Sequence, residues 1–418
     1  MKGDKKKFLL IGNYFFPELT GIGKYNGEMI DWLSKNGYQC TAVVPYPYSP
    51  YWRIHSTNYY RSYWYKKELK KMDHSAPAII YRCPHFVPSI PTGLKRVISD
   101  LSFVISSLCQ VIYLMAFRKY DYVIVISPCF LLGFSGLLIR LFKNTKFIYH
   151  IQDLQVDTAH ELGMIRWKPF IKLMFRCELA ILKNADYVSS ISDGMIKKIK
   201  QKYDRPVILF PNWVNTDIIY PVKEKISIKN KLNIPLDRKI VLYSGAIGEK
   251  QGLKDLLDVA SNLHFRKDIN FIICSSGPYF NKLKKTVQDL KLDNISFIHL
   301  LPIEKYNELL NIADIHLVLQ RSNANDLVMP SKLTSILSAG GLAIVTATAT
   351  TSLHNLISNH KIGYIIEQEN VKALTTSIVE IIDTDPIEIK KNAREFALKY
   401  LDINIVISNF LSQVMSVS

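Results

Sequence analysis

The 418-residue sequence has little that would mark a disulfide-stapled, zinc-bound or secreted protein. Its six cysteines, Cys40, Cys83, Cys109, Cys129, Cys177 and Cys274, are scattered, with no Cys-x-x-Cys pair and no zinc-type spacing. Most lie among apolar neighbours, which predicts buried thiols in a reducing compartment. No uninterrupted apolar run opens the chain, because Asn13 and Pro17 cut it short. No signal peptide is expected, and the reading is cytoplasmic. Internal repeats and low-complexity tracts are absent. Acids are also in short supply, with 36 Asp and Glu against 53 Lys and Arg, a formal net charge of +17. Such an excess implies an anionic partner: nucleic acid, a nucleoside diphosphate or an anionic membrane surface.

What is present is a globular composition, 48% hydrophobic and 21% charged, in a chain long enough for two domains. Phe8-Leu-Leu-Ile11 reads as a strand buried on both faces of a parallel sheet. Met29, Ile30 and Leu33 lie at helical spacing after it. Between them, Gly21 and Gly23 would let the backbone turn tightly and approach a ligand, with N–H groups of the following helix start offering an anion site. Strand and helix then alternate through Cys40–Val44, Ala78–Arg82, Tyr122–Ile126, Phe147–His150, Tyr187–Ile191 and Val207–Phe210. Ser192 and Asp193 are expected to cap one of the helices. Periodicity lapses after Pro211-Asn212-Trp213 until Ile240, where the alternation restarts through Phe271–Cys274, Ile295–Leu300, Ile315–Leu319 and Ala343–Val345. Two such runs predict an α/β protein of two doubly wound, Rossmann-like domains facing one another across a cleft, with ligands at the strand ends. The expected division is residues 1–215, 216–395 and a C-terminal helix, 396–418, packing back on the first domain.

Two stretches bear on membranes. From Tyr51 to Ser99 basic residues gather (Arg53, Arg61, Lys66, Lys67, Lys70, Lys71, Arg82, Lys95 and Arg96) with Trp52, Tyr59, Tyr60, Tyr63, Trp64 and Tyr65 interleaved. This mixture suits a lipid headgroup layer, single-stranded nucleic acid, or a solvated loop with packed rings. From Leu101 to Ile139 charges are few. A transmembrane hairpin is one reading. Breaks at Asp100, Arg118, Lys119 and Asp121, and the β-branched run at Tyr122–Ile126, favour helix, strand and helix as buried pieces of the sheet.

Six motifs in order carry a resemblance: Asn13–Tyr25 (NYFFPELTGIGKY), His150–Asp157 (HIQDLQVD), Pro211–Trp213, Tyr243–Leu253 (YSGAIGEKQGL), Ser276-Gly-Pro278 and Asp326–Leu333 (DLVMPSKL). With this order and spacing the chain resembles the retaining GT-B glycosyltransferases of family 4, and among them the colanic-acid-type sugar transferases. The resemblance implies roles. Gly21 and Gly23, flanked by Thr20 and Lys24 on the acceptor side with Asn212, would approach diphosphate and acceptor. His150 would lie beside the transferring sugar and Asp153 would touch sugar or acceptor. Lys250, Ser331 and Lys332 would offset the charge of the leaving diphosphate. Gly245, Gly277, Pro278 and Ile303 would shape the nucleotide pocket. The sequence departs from the family where two glutamates are usual, at Leu327 and Ser335, and at Ala246 and Gln251. Asp326 and Ser335 are the replacements expected to contact the donor.

The expected activity is transfer of a sugar from a GDP- or UDP-linked donor to a lipid-linked saccharide at the inner face of the cell membrane. Neither a cofactor nor a metal is expected, nor a nucleic acid partner. The Asp383-Thr-Asp385 triplet sits in a late turn, and Asp153, Asp157, His160 and Glu161 match no standard metal spacing. Two other readings stay open: a GT-B sugar-nucleotide 2-epimerase, and a non-catalytic protein that binds nucleotides or polyanions.

Overall fold

The computed structural model describes residues 5–18, 21–54, 63–72, 75–161, 167–232, 234–247, 252–321 and 330–416. It separates into two compact units. The first runs to Phe210 and regains the chain from Phe410 onward; the second is Pro211–Asn409. The division thus falls at Phe210/Pro211, just ahead of the 215/216 boundary expected from the lapse in periodicity. Phe410 stacks on Phe210 with ring centroids 3.9 Å apart and planes 7° from parallel.

The first unit is built on β1 (Lys7–Gly12), β2 (Gln39–Pro45), β3 (Lys66–Met72), β4 (Ser75–Cys83), β5 (Tyr122–Ser127), β6 (Lys146–Ile151), β7 (Tyr187–Ser190) and β8 (Val207–Leu209), in the spatial order β3-β4-β2-β1-β5-β6-β7-β8. All neighbours are parallel except β3 and β4. The central strands β1 and β5 are covered on both faces, so their apolar runs are continuous rather than alternating. The strand order turns between β1 and β5, which in a wound sheet is where ligands bind, outside the carboxyl ends of the strands. Ser192 caps the helix Asp193–Lys200 as expected, accepting a hydrogen bond from the Met195 N–H at 3.3 Å.

The second unit carries β9 (Lys239–Ser244), β10 (Ile269–Cys274), β11 (Ile295–Ile298), β12 (Ile315–Val318), β13 (Ala343–Thr346) and β14 (Tyr364–Ile366) in the order β11-β10-β9-β12-β13-β14, all parallel. Apolar clusters fill both faces of this sheet. Two Rossmann-like α/β units are therefore present, as the alternation of strand and helix predicted.

Two expectations are corrected. The basic segment is partly strand: β3 is a lysine-bearing edge strand, a placement that discourages pairing with another sheet. Several of its charges are neutralised within the protein. Lys70 meets Asp31 at 2.7 Å, Lys66 lies 3.6 Å from Glu68, and buried Arg82 donates to Glu68 at 3.1 Å. Tyr65 donates to the Ser106 carbonyl at 3.1 Å and Tyr63 to the His85 carbonyl, so both rings are packed. Arg61, Tyr59 and Tyr60 lie outside the described residues. The second correction concerns the apolar stretch. It forms the helix Gly93–Phe117, β5 and the helix Gly133–Lys143, but the first helix is not a buried element: one of its long faces is exposed.

Candidate functional site

In the second unit the glycine turn after β9 begins at Gly245, whose φ of +124° is left-handed and tolerated by glycine. A Cβ there would lie 3.4 Å from Lys332 Cε and 3.8 Å from its Nζ. Lys332 opens the helix Lys332–Ser338, only two turns long, so what that helix brings to the turn is the Lys332 amine rather than a helix dipole. Nζ stands 3.5 Å from the Tyr243 ring centroid, shut off from solvent and, among the described residues, without a hydrogen-bond acceptor. Burial lowers the amine to about 7. A cation over a ring face keeps some electrostatic support, but its hydrogen-bonding capacity is unspent.

The surroundings hold this arrangement. Tyr243 donates its hydroxyl to the Ala246 carbonyl at 2.7 Å, and Ser275 donates to the Gly245 carbonyl at 2.5 Å. Ser244 Oγ and the Tyr306 hydroxyl lie 3.1 Å apart, tying the helix Ile303–Ile312 to the same edge. Gly277, with φ +111°, precedes the helix Pro278–Asp289, whose first turn offers N–H groups at the carboxyl edge of β10. Gly245, Gly277 and Lys332 therefore gather at the carboxyl edge of one sheet. Ile303 instead packs against the apolar core, and Ser335 is buried within its helix. Ser331 precedes the Lys332 helix, and its carbonyl accepts from Thr334 at 2.9 Å. Lys250 and Asp326 lie outside the described residues, as do Leu327 and Gln251.

In the first unit Gly21, φ +61°, opens the helix Gly21–Lys35, and a Cβ on it would meet nothing within 4 Å among the described residues. Gly23 is required for a different reason. A Cβ there would come within 2.7 Å of Glu18 Oε2 and 2.8 Å of Glu18 Cβ. Glu18 is buried and its Oε1 accepts from the Tyr48 and Ser49 N–H groups at 3.2 and 3.0 Å. Burial raises the carboxyl to about 7, although those N–H groups pull the other way. The glycine at 23 is thus explained by an internal carboxylate rather than by a ligand alone. Lys24 lies 3.8 Å from Glu28. Thr20 is outside the described residues, and Asn212 is buried.

His150 is a buried residue of β6. Its Nδ1 lies 2.9 Å from Ser189 Oγ and its ring centroid 4.9 Å from that of Phe210. Burial lowers it to about 3, so the ring is neutral. Such packing makes His150→Ala costly for the fold, by about 3 kcal/mol in denaturant unfolding. Unchanged stability with lost turnover would instead place the ring against the sugar. Asp153 follows β6, and its carbonyl accepts from Ser127 Oγ at 3.3 Å. Asp100 accepts from Gln155 Nε2 at 3.1 Å, and burial raises that carboxyl to about 6 against the help of Gln155, Asn13 and Arg96. The sequence reading treated Asp100 only as a break in an apolar run. Its role near the β1–β5 turn of strand order became visible through contacts distant in sequence. Glu18, Tyr243, Ser275 and Tyr306 were missed likewise; the first three stood within or beside quoted motifs.

Four of the acids weighed as metal ligands are engaged elsewhere. Asp157 and Glu161 meet Lys202 and Lys198, each at 2.6 Å. Asp383 lies 3.5 Å from Arg266, and Asp385 2.6 Å from Lys390. Among the described residues no cluster of three or more His, Cys, Asp or Glu is placed to hold a metal.

Residues 224–399 match the family model described as "Glycosyl transferases group 1". A protein of Escherichia coli (strain K12), assigned to colanic acid biosynthesis as the glycosyl transferase WcaI, is 35% identical over 420 residues, spanning 98% of this chain and 99% of that one. Among solved structures, sucrose-phosphate synthase from Thermosynechococcus elongatus matches with a TM-score of 0.76 at 17% identity, covering 99% of this chain and all of that one. Anabaena Alr3699/HepE in complex with UDP-glucose matches with a TM-score of 0.69 at 13% identity, covering 98% and 99%. The structural likenesses carry the fold, which is that of the GT-B enzymes.

Proposed function

The chain belongs to the group 1 glycosyltransferases, and on that premise we propose that it moves a sugar from a nucleoside-diphosphate donor, held by the second unit, to a lipid-linked glycan in extracellular polysaccharide synthesis. Membership sets aside the epimerase and the non-catalytic binder that the sequence left open. One observation carries the donor reading: the Lys332 amine, closed off from solvent and without an acceptor among the described residues, beside the left-handed Gly245 turn. A diphosphate oxygen is the kind of anion that would complete it.

In the proposed reaction the bond from the sugar's anomeric carbon to the diphosphate breaks, the acceptor hydroxyl oxygen bonds to that carbon on the same face, and the proton leaves toward the departing diphosphate. Lys332, with N–H groups of the Pro278–Asp289 helix, stabilises the charge growing on the leaving group. In this scheme the protein supplies the positive charge, so no metal is required. The E. coli relative's assignment to colanic acid biosynthesis and HepE's complex with UDP-glucose support the polysaccharide and nucleotide-sugar parts of the reading. The basic balance of the chain supports work at the inner, anionic face of the cell membrane.

The test is a panel of UDP- and GDP-sugars, with and without a lipid-linked saccharide, followed by nucleotide release and product stereochemistry. Release that needs the lipid-linked acceptor, persists in chelator and retains the anomeric configuration is expected. Normal nucleotide binding with no turnover on any donor would sink the proposal.

A further inference from the structure

The helix Gly93–Phe117 is patterned inside out. The face turned to the protein carries Ser99, Ser107 and Gln110 among Phe103, Val111 and Leu114. The face turned to solvent carries Leu94, Leu101, Ile105 and Ile112, at spacings of four and seven that keep them on one stripe, 72%, 41%, 65% and 54% exposed, and Phe117 in the last turn is 73% exposed. A surface helix of a protein surrounded by water shows the opposite arrangement. From Leu101 to Phe117 the helix has no charged residue. Among the described residues it is the one helix long and apolar enough to cross a bilayer, at roughly 37 Å. Its inner face is nevertheless committed to the sheet, with Phe103, Val111 and Leu114 at most 1% exposed, so only one side is available to lipid.

The neighbouring helices continue the pattern. Gly133–Lys143 presents Leu141 and Phe142, 72% and 70% exposed. Before Lys168–Asn184, Trp167 is 68% exposed and lies parallel to Phe170. The charges on this layer are of one sign outward. Asp100 is held by Gln155 and Glu178 by Lys202 at 2.6 Å, and these are the acids of the three helices. Lys95, Arg96, Lys168, Lys172 and Arg176 are exposed, as is Lys119 just past the first helix.

We propose that this layer, led by the outer stripe of Gly93–Phe117, is the surface with which the first unit lies on an anionic lipid bilayer. The helix rests along the interface rather than crossing it, its apolar stripe in the acyl boundary and the flanking lysines and arginines among the headgroups. Charge complementarity decides the occupant, since an outward face that is apolar and solely basic fits an acidic lipid surface and would repel a second copy of itself. The inference deepens the membrane reading above and names its place on the chain, and it does not depend on which donor is used.

The test uses the full chain and sedimentation with vesicles of phosphatidylcholine alone or with about one-third phosphatidylglycerol. Binding to the anionic vesicles is expected to be at least tenfold tighter than to the neutral ones. The triple variant Ile105→Ser, Ile112→Ser, Phe117→Ser should lose about tenfold or more, and it changes only exposed side chains. A second variant, Lys95→Glu with Lys119→Glu, keeps the apolar stripe and should lose the preference for anionic vesicles. Nucleotide binding, measured in parallel, should stay unchanged in both, which separates this inference from the donor reading. Wild-type protein that ignores both vesicle types would overturn it. So would triple-variant binding equal to wild type, or a dimer in vesicle-free sedimentation that the triple variant dissolves.

Discussion

Replacing Lys332 by Met is expected to lower kcat by two to three orders of magnitude, the loss seen when a fixed donor to a developing anion is removed. Methionine fills similar space beside Tyr243 and Gly245 without a charge, so the fold should survive. Stability should move in the opposite direction. In the folded protein burial holds the amine at about 7, well below an ordinary lysine. Between pH 7 and about 10 the unfolded chain therefore binds more protons, and wild-type stability rises with pH across that window. The methionine variant should lack this rise and be the more stable protein at pH 7. Bound diphosphate favours the charged amine, so nucleotide binding at pH 8 should take up a proton. Calorimetry in two buffers of different ionisation heat reads that uptake directly; heats independent of buffer, or a variant with wild-type turnover, would remove Lys332 from the donor site.

Arg82→Ala should cost the fold about 3–5 kcal/mol, because it leaves the buried Pro45 carbonyl and the half-buried Glu68 carboxylate without their cation. The guanidinium, 2% exposed, donates to Glu68 at 3.1 Å, to the Pro45 carbonyl at 3.1 Å and to the Phe16 carbonyl at 2.6 Å. It thereby joins β4 to the segment that leads into Gly21 and to the end of β2. A melting temperature lower by roughly 10 °C is expected for a unit of this size. Glu68→Gln keeps an acceptor and should cost much less. A loss below about 1 kcal/mol in Arg82→Ala would show that these bonds do not hold the segment.

The two sheets were legible because strands buried on both faces read as unbroken apolar runs, as at Phe8–Ile11 and Tyr122–Ile126, and because helices interrupt them at regular intervals. β3 was not legible. Its run Lys66–Met72 has the composition of a solvated loop, and what makes it a strand is its pairing with β4. The Gly93–Phe117 helix was legible as a helix but not as an exposed one, since an apolar segment has the same sequence whether protein or lipid covers it. Among the site residues, the motifs pointed to Gly245, Gly277 and Lys332, and all three lie at the carboxyl edge of one sheet. Gly23 was found for a reason that Glu18 modifies, and Asp100 was passed over because its partners Asn13 and Gln155 lie 87 and 55 residues away along the chain.

By itself the order of residues determined the alternation of strand and helix, the glycine turns after β1, β9 and β10, and the excess of positive charge, all of which depend on neighbours a few positions apart. The tertiary structure alone decided which charges remain for a ligand. Lys66, Lys70, Arg82 and Lys202 find carboxylates within the fold, while the Lys332 amine is buried over a ring with none among the described residues. Desolvation and pairing depend on groups brought together from distant parts of the chain, and no local pattern encodes that distance.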